Sequence, residues 1–163
     1  MNRNIRKVAV LGSGVMGSAI ACHFANIGCA VLLLDIAPRE LNDEEKAKGL
    51  SLDDPRVKNR IVQSSFDRSI KSSPGPLFSK KFASRISLGN FSDDMPKIKD
   101  YDWIIEVVVE NLDIKKKVYE EVEKYRTPGT LVTSNTSGIP IHLMAEGRSE
   151  NFKKNFCGTH FFN

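Results

Sequence analysis

A glycine turn between an apolar strand and an apolar helix, followed at a set distance by one acid, constrains this chain more than any other feature. Lys7-Val8-Ala9-Val10-Leu11 is a short β-branched run and reads as a buried strand. Gly12-Ser13-Gly14 breaks it. From Val15 to Ile27 apolar residues recur at steps of three and four (Met16, Ala19, Ile20, Phe24, Ile27), a helical period that Gly28 stops. Ala30 to Leu34 is a second apolar run, closed by Asp35. Strand, turn, helix and strand in that order make a βαβ unit, which is right-handed almost without exception.

The turn Gly12-Ser13-Gly14-Val15-Met16-Gly17 has the form G-x-G-x-x-G, and Asp35 lies about 20 residues beyond it at the end of the second strand. Each position has a mechanical job. Gly12 permits the tight turn, Gly14 lets a pyrophosphate approach the backbone with no Cβ in the way, and Gly17 lets helix and strand pack closely. The helix N-terminus, with Val15 and Met16, offers free N–H groups to the phosphates. Asp35 accepts from ribose hydroxyls and repels a 2′-phosphate, which favours NAD over NADP. Arg39 lies past Pro38 and is not read as a 2′-phosphate clamp. The motif alone does not separate a nicotinamide from a flavin dinucleotide.

The pattern alternates again in the second half. Arg85–Leu88 is a weak strand and Trp103–Val108 a strong one. A helix follows, with Asp113 as its cap and Ile114, Val118, Val122 and Tyr125 as its apolar face. Thr130–Ser134 is a strand, Pro140–Ala145 a short helix, and Phe156–Phe162 a last strand. Strands alternating with helices predict a doubly wound α/β fold of Rossmann type with a mostly parallel sheet. Residues 39–84 are polar and basic and predict a helical insertion or arm after the second strand, with too few apolar residues for a core of its own. Pro55 opens its helix through Val57, Ile61 and Val62, and Ser72–Pro76 is a turn.

Composition excludes several classes. The chain has 163 residues, about one domain, with 40% hydrophobic and 27% charged residues. No apolar run approaches the roughly 20 residues of a membrane span. The basic N-terminus leads into a short, glycine-broken strand, a poor secretory signal, and the expected location is the cytoplasm. A net charge of +4 suits an acidic or phosphorylated ligand but is too mild to argue for nucleic acid. The three cysteines show no C-x-x-C spacing, and the three histidines are scattered, so neither a disulfide framework nor a metal site is expected.

Polar clusters end the later strands: Glu110-Asn111, then Ser134-Asn135-Thr136-Ser137-Gly138, then His160-Phe161-Phe162-Asn163. With the glycine turn, V-E-N, S-N-T-S and H-F-F-N in this order, the sequence resembles the N-terminal domain of L-3-hydroxyacyl-CoA dehydrogenases. The resemblance runs over nearly all of residues 1–163, and residues 39–84 match weakly; the long polar arm looks like the larger bacterial members. It implies oxidation of an L-3-hydroxyacyl-CoA to the 3-ketoacyl-CoA with NAD, the third step of fatty-acid β-oxidation. By position it implies that His160 is the general base, that Ser137 binds the substrate oxygen, and that Asn163 shapes the pocket. It further implies that Asn135 lies beside the nicotinamide and that Glu110 and Lys115 contact the ribose on that side. Coenzyme A phosphates could meet Arg56, Lys58, Arg60, Arg68, Lys71, Lys80 or Lys81, which could equally be a solvated surface.

The family continues past the H-F-F-N run with a carboxylate partner for the histidine, then a helical domain that closes over the acyl chain and commonly forms a dimer. The expectation is an excised domain that binds NAD and turns over poorly alone. Three rivals remain: a β-hydroxyacid dehydrogenase that uses a later lysine, a non-catalytic NAD-binding module, and a structural, crystallin-like role.

Overall fold

The computed structural model describes residues 3–162. Six strands form one sheet: β1 (Lys7–Leu11), β2 (Ala30–Asp35), β3 (Ile86–Asn90), β4 (Trp103–Glu106), β5 (Leu131–Ser134) and β6 (Phe156–Gly158). Every neighbouring pair is parallel, in the order 3-2-1-4-5-6. This is the doubly wound order expected of a Rossmann-type sheet. The helices are α1 (Val15–Asn26), α2 (Asp43–Ala47), α3 (Pro55–Lys58), α4 (Arg60–Ile70), α5 (Phe91–Asp94), α6 (Leu112–Tyr125), α7 (Ile141–Ala145) and α8 (Glu150–Lys154).

Alternating side chains on the strands feed two separate cores. Val8, Val10, Val31 and Leu33 point to one face, where Ile20 and Phe24 of α1 cover them. Ala9, Leu11, Leu32 and Leu34 point to the other, under Val118, Tyr119 and Val122 of α6. All four residues of β1 from Val8 to Leu11 are buried, which places it at the centre of the sheet.

Residues 39–84 hold no core of their own. Val62 and Phe66 of α4 join the first core beside α1, so α4 serves as the crossover between β2 and β3. The turn after α4 is tied down by Asn26, which donates from Nδ2 to the Pro76 carbonyl (2.8 Å) and accepts from Phe78 N (2.9 Å).

Three local expectations are corrected. The cap of α6 is Asn111, whose Oδ1 accepts from Ile114 N at 3.1 Å; Asp113 sits inside the first turn, where its charge favours the helix dipole. The buried face of α6 is Lys115, Val118, Tyr119 and Val122, while Ile114 and Tyr125 are exposed. A polar Lys115 at the start of that stripe disguised it. The last strand ends at Gly158, and α8, capped by Ser149 and anchored by fully buried Phe152, lies just before it.

Candidate active site

The strand order reverses between β1 and β4, so a crevice opens at their carboxyl ends. The glycine turn forms its floor. Gly12 has φ +109, and a Cβ there would stand 2.5 Å from the Val107 carbonyl oxygen. A Cβ on Gly17 would stand 1.8 Å from the Gly12 oxygen. A Cβ on Gly14 would meet nothing within 4 Å, because this glycine faces the open crevice. Val15 beside it is 71% exposed, and Met16 turns back against the first core.

Asp35 borders the same space. Its Oδ2 accepts from Ser13 N (2.6 Å) and from the Ser13 hydroxyl, and its Oδ1 from Ile36 N (2.7 Å). The carboxylate is thereby fixed beside the glycine turn. A cleft of about 560 Å³ runs from Gly12, Gly14 and Asp35 past Ile36, Val109 and Ile114. Those three apolar side chains are exposed, an arrangement that suits a flat, apolar ring. Arg39 lines this cleft as well.

A second cluster forms where β4 and β5 end. Glu110 Oε1 accepts from the Thr136 hydroxyl and from the backbone N–H groups of Ser137 and Gly138 (3.1 Å each). Its Oε2 lies 3.2 Å from Lys115 Nζ. Burial pushes the Glu110 pKa up, but the Thr136 hydroxyl, the Gly138 amide and the Lys115 ammonium outweigh it and hold the carboxyl down to about 2. His160 is exposed, with Nδ1 3.4 Å from the Thr136 carbonyl oxygen and its ring edge-on to Phe162. Asn135 accepts from Phe161 N through Oδ1 (2.8 Å), which pins the His160 segment to the same turn. Ser137 and His160 line one shallow depression of about 350 Å³. Asn163 lies outside the described residues.

Lys115, expected at the cofactor, has its side chain 1% exposed, with Nζ 2.8 Å from Glu106 Oε1 and 3.2 Å from Glu110 Oε2, so its ammonium joins the two carboxylates. Glu106 itself was missed by the sequence reading. It is fully buried and accepts from Lys115 Nζ, Val108 N (2.8 Å), the Tyr119 hydroxyl (2.6 Å) and the Ser134 hydroxyl (2.6 Å). Burial, then the Glu106 charge, push the Tyr119 phenol far up, so it remains a donor. The available signal was an acid closing an apolar strand, which cannot be buried without partners.

Residues 7–163 match the model of the "3-hydroxyacyl-CoA dehydrogenase, NAD binding domain" family. The chain belongs to this family. Its cofactor is NAD, and the cleft is compatible with a dinucleotide: no side chain fills the space at Gly14, and the Asp35 carboxylate borders the same cleft. Among relatives of this 3-hydroxyacyl-CoA dehydrogenase domain, a probable 3-hydroxyacyl-CoA dehydrogenase of Bacillus subtilis is 55% identical over 163 residues, which is 100% of this chain and 21% of that protein. One of Deinococcus radiodurans is 42% identical over 159 residues, 98% of this chain and 42% of that protein. The chain therefore spans less than half the length of these relatives. The crystal structure of (S)-3-hydroxybutyryl-CoA dehydrogenase from Ralstonia eutropha superposes with a TM-score of 0.66 at 30% identity, over 98% of this chain and 50% of that one. Among the described residues, no helix is long and apolar enough to cross a membrane.

Proposed function

We propose that this domain serves an enzyme that oxidises an L-3-hydroxyacyl-CoA to the 3-ketoacyl-CoA in fatty-acid β-oxidation, with His160 as general base. The observation that carries this reading is the convergence of Glu110, Ser137 and His160 on one turn at the crevice's edge. Bound NAD supplies the hydride acceptor for C3. A proton on His160 Nδ1 is donated to the Thr136 carbonyl, which leaves the Nε2 lone pair to take the substrate hydroxyl proton. The Ser137 hydroxyl, for which the described residues hold no partner, holds the substrate oxygen. Asn135 has its Oδ1 committed to Phe161 N, so its amide N–H groups remain for the nicotinamide side. Glu110 shapes this turn and meets the nicotinamide-side ribose.

The arm's cations sort themselves by partner. Arg56 pairs with Asp54, Lys58 with Asp93, and Arg60 with Glu45. Arg68 has no carboxylate partner among the described residues and lines a cleft of about 570 Å³ with Ser65, Ser69 and Ser72 on the other side of the glycine turn. It is the arm residue we assign to a coenzyme A phosphate.

The relatives are longer, and we assign closure over the acyl chain, a carboxylate partner for His160 and the dimer interface to sequence of theirs beyond this match.

The test uses the enzyme that carries this domain. His160→Gln should retain NAD binding and lose roughly 10²–10⁴-fold in kcat. Oxidation at an undiminished rate would exclude His160 as the base, and would favour a lysine-based relative. The 163-residue chain alone should bind NAD and, given NADH, reduce acetoacetyl-CoA slowly or not at all; turnover at the rate of the whole enzyme would contradict the division of labour.

A further inference from the structure

Two buried serines grip the glycine turn from opposite sides. Ser13 has no exposed surface, and both its N–H (2.6 Å) and its hydroxyl donate to Asp35 Oδ2. Ser18, in the first turn of α1 and 1% exposed, donates its hydroxyl to the Ser13 carbonyl at 2.7 Å. The described residues give that carbonyl no other donor. Asp35 therefore fixes the N–H side of Ser13, and Ser18 fixes its carbonyl side.

The peptide between Ser13 and Gly14 is trans, so its C=O and N–H point in opposite directions. The bond that turns the Ser13 carbonyl inward to Ser18 thereby turns the Gly14 N–H outward. Gly14 borders the clefts on both sides of the turn, and a Cβ there would meet nothing within 4 Å. The outward N–H adds to those that open α1, where an anion is favoured. Glycine brings a freedom with it. Turning this peptide over would carry Gly14 from φ −55 to about +125 at ψ −173, a region open to glycine and closed to other residues. The inverted peptide would aim a carbonyl oxygen, not an N–H, at a phosphate. The residue that leaves room for a pyrophosphate is thus also the one that lets the cradle invert.

We propose that Ser18 is a lock on this peptide: its hydroxyl holds the Ser13 carbonyl inward and so keeps the Gly14 N–H toward the pyrophosphate of NAD. Ser18 is a positioning residue that acts through Ser13 and Gly14. Helix formation does not ask for a hydroxyl there, since alanine is the better helix former; the carbonyl of Ser13 does. The inference rests on the reading that NAD lies across the glycine turn.

The test is Ser18→Ala, a substitution that suits a helix and removes only the hydroxyl. NAD and ADP-ribose should each bind roughly 3–10-fold more weakly, the worth of one hydrogen bond, which corresponds to an inverted peptide in most ligand-free molecules. Adenosine has no pyrophosphate and should bind within about twofold of its native affinity. A crystal structure of the ligand-free variant should show the Ser13 carbonyl turned outward. A double-mutant cycle with Gly14→Ala separates a lock from general damage. A Cβ at position 14 bars the inverted peptide, so in that background Ser18→Ala should cost less than about twofold in NAD affinity. A folded Ser18→Ala chain with native NAD affinity, an equal loss for adenosine, or a Ser13 carbonyl still turned inward would overturn the proposal. Gly14→Ala alone shows whether the underlying reading falls as well: if it weakens NAD while Ser18→Ala does not, the cradle stands and only the lock fails, and if neither variant weakens NAD, both fail.

Discussion

Two glycines of one turn should fail in opposite ways. Gly17→Ala would place a methyl group 1.8 Å from the Gly12 carbonyl oxygen, and both atoms belong to elements fixed by the sheet. Separation needs a backbone shift of more than about 1 Å, which in a packed interior costs roughly 3 kcal/mol or more. For a domain of this size that lowers Tm by about 6 °C or more. Gly14→Ala meets nothing within 4 Å, and the residue has φ −55 and ψ −173, a backbone open to alanine. The loss of chain entropy in the unfolded state and the poorer helix cap offset one another to within about 1 kcal/mol. Its cost falls on the cofactor. A methyl group in the cradle keeps a phosphate oxygen from one backbone N–H, a charge-assisted bond worth about 1.5–3 kcal/mol, or roughly 10–150-fold in affinity. Thermal unfolding with NAD at 100 times the native Kd reads both effects. The native chain should gain about 2.7 kcal/mol, and Gly14→Ala about 0.3–1.4 kcal/mol. A Gly14→Ala chain with the full NAD-induced rise, or a Gly17→Ala chain melting with the native one, would refute this account of the turn.

Other outcomes follow from single groups. Asp35→Asn removes the charge that faces a 2′-phosphate, so fluorescence titration should show the NAD-to-NADP preference falling by about tenfold or more; an unchanged ratio would place discrimination elsewhere. Glu110 has its folded pKa lowered to about 2, so its contribution to stability is present above the unfolded value of about 4.3 and is lost as pH falls toward 2. Urea titrations should therefore show a shallower loss of stability below about pH 4.5 for Glu110→Gln than for the native chain, with equal slopes as the contrary result. Burial pushes the Cys22 thiol up to about 11 and also raises Cys29, whereas Cys157 is exposed. A thiol reagent at neutral pH should modify Cys157 alone until the chain unfolds; rapid labelling of all three would contradict the packing.

The first half of the fold was legible because its signals are local. The runs Lys7–Leu11 and Ala30–Asp35 are strands with the expected bounds, and the glycine turn joins the two elements that its spacing demanded. In the second half, side chains do what their neighbours in sequence conceal. Lys115 sits in a run of three lysines, which suggests a solvated face, yet it alone turns inward because Glu106 and Glu110 compensate its charge. The apolar residue at helical spacing from Phe152, Phe156, lies beyond α8 in β6, and the rings of Tyr119 and Phe156 make α8 part of the core. The arm has too few apolar residues for a core of its own, as expected, and Val62 and Phe66 on one face suffice to dock α4 on the first core. At the candidate site, the sequence offers Asp35, Glu110, Asn135, Ser137 and His160 as candidates, and the strand ends place them along the crevice. That Glu110 gathers the turn in one carboxylate could not be read from the chain, because it depends on strand order.

The most direct test of the central claim is a crystal structure of the chain grown with NAD. The account predicts the pyrophosphate over the amides that open α1 at Gly14 and Val15, the ribose hydroxyls of the adenosine half on Asp35, and the nicotinamide toward the Ser137 turn and His160. A dinucleotide bound away from the glycine turn, or lying across it with Asp35 unengaged and the nicotinamide remote from His160, would contradict it.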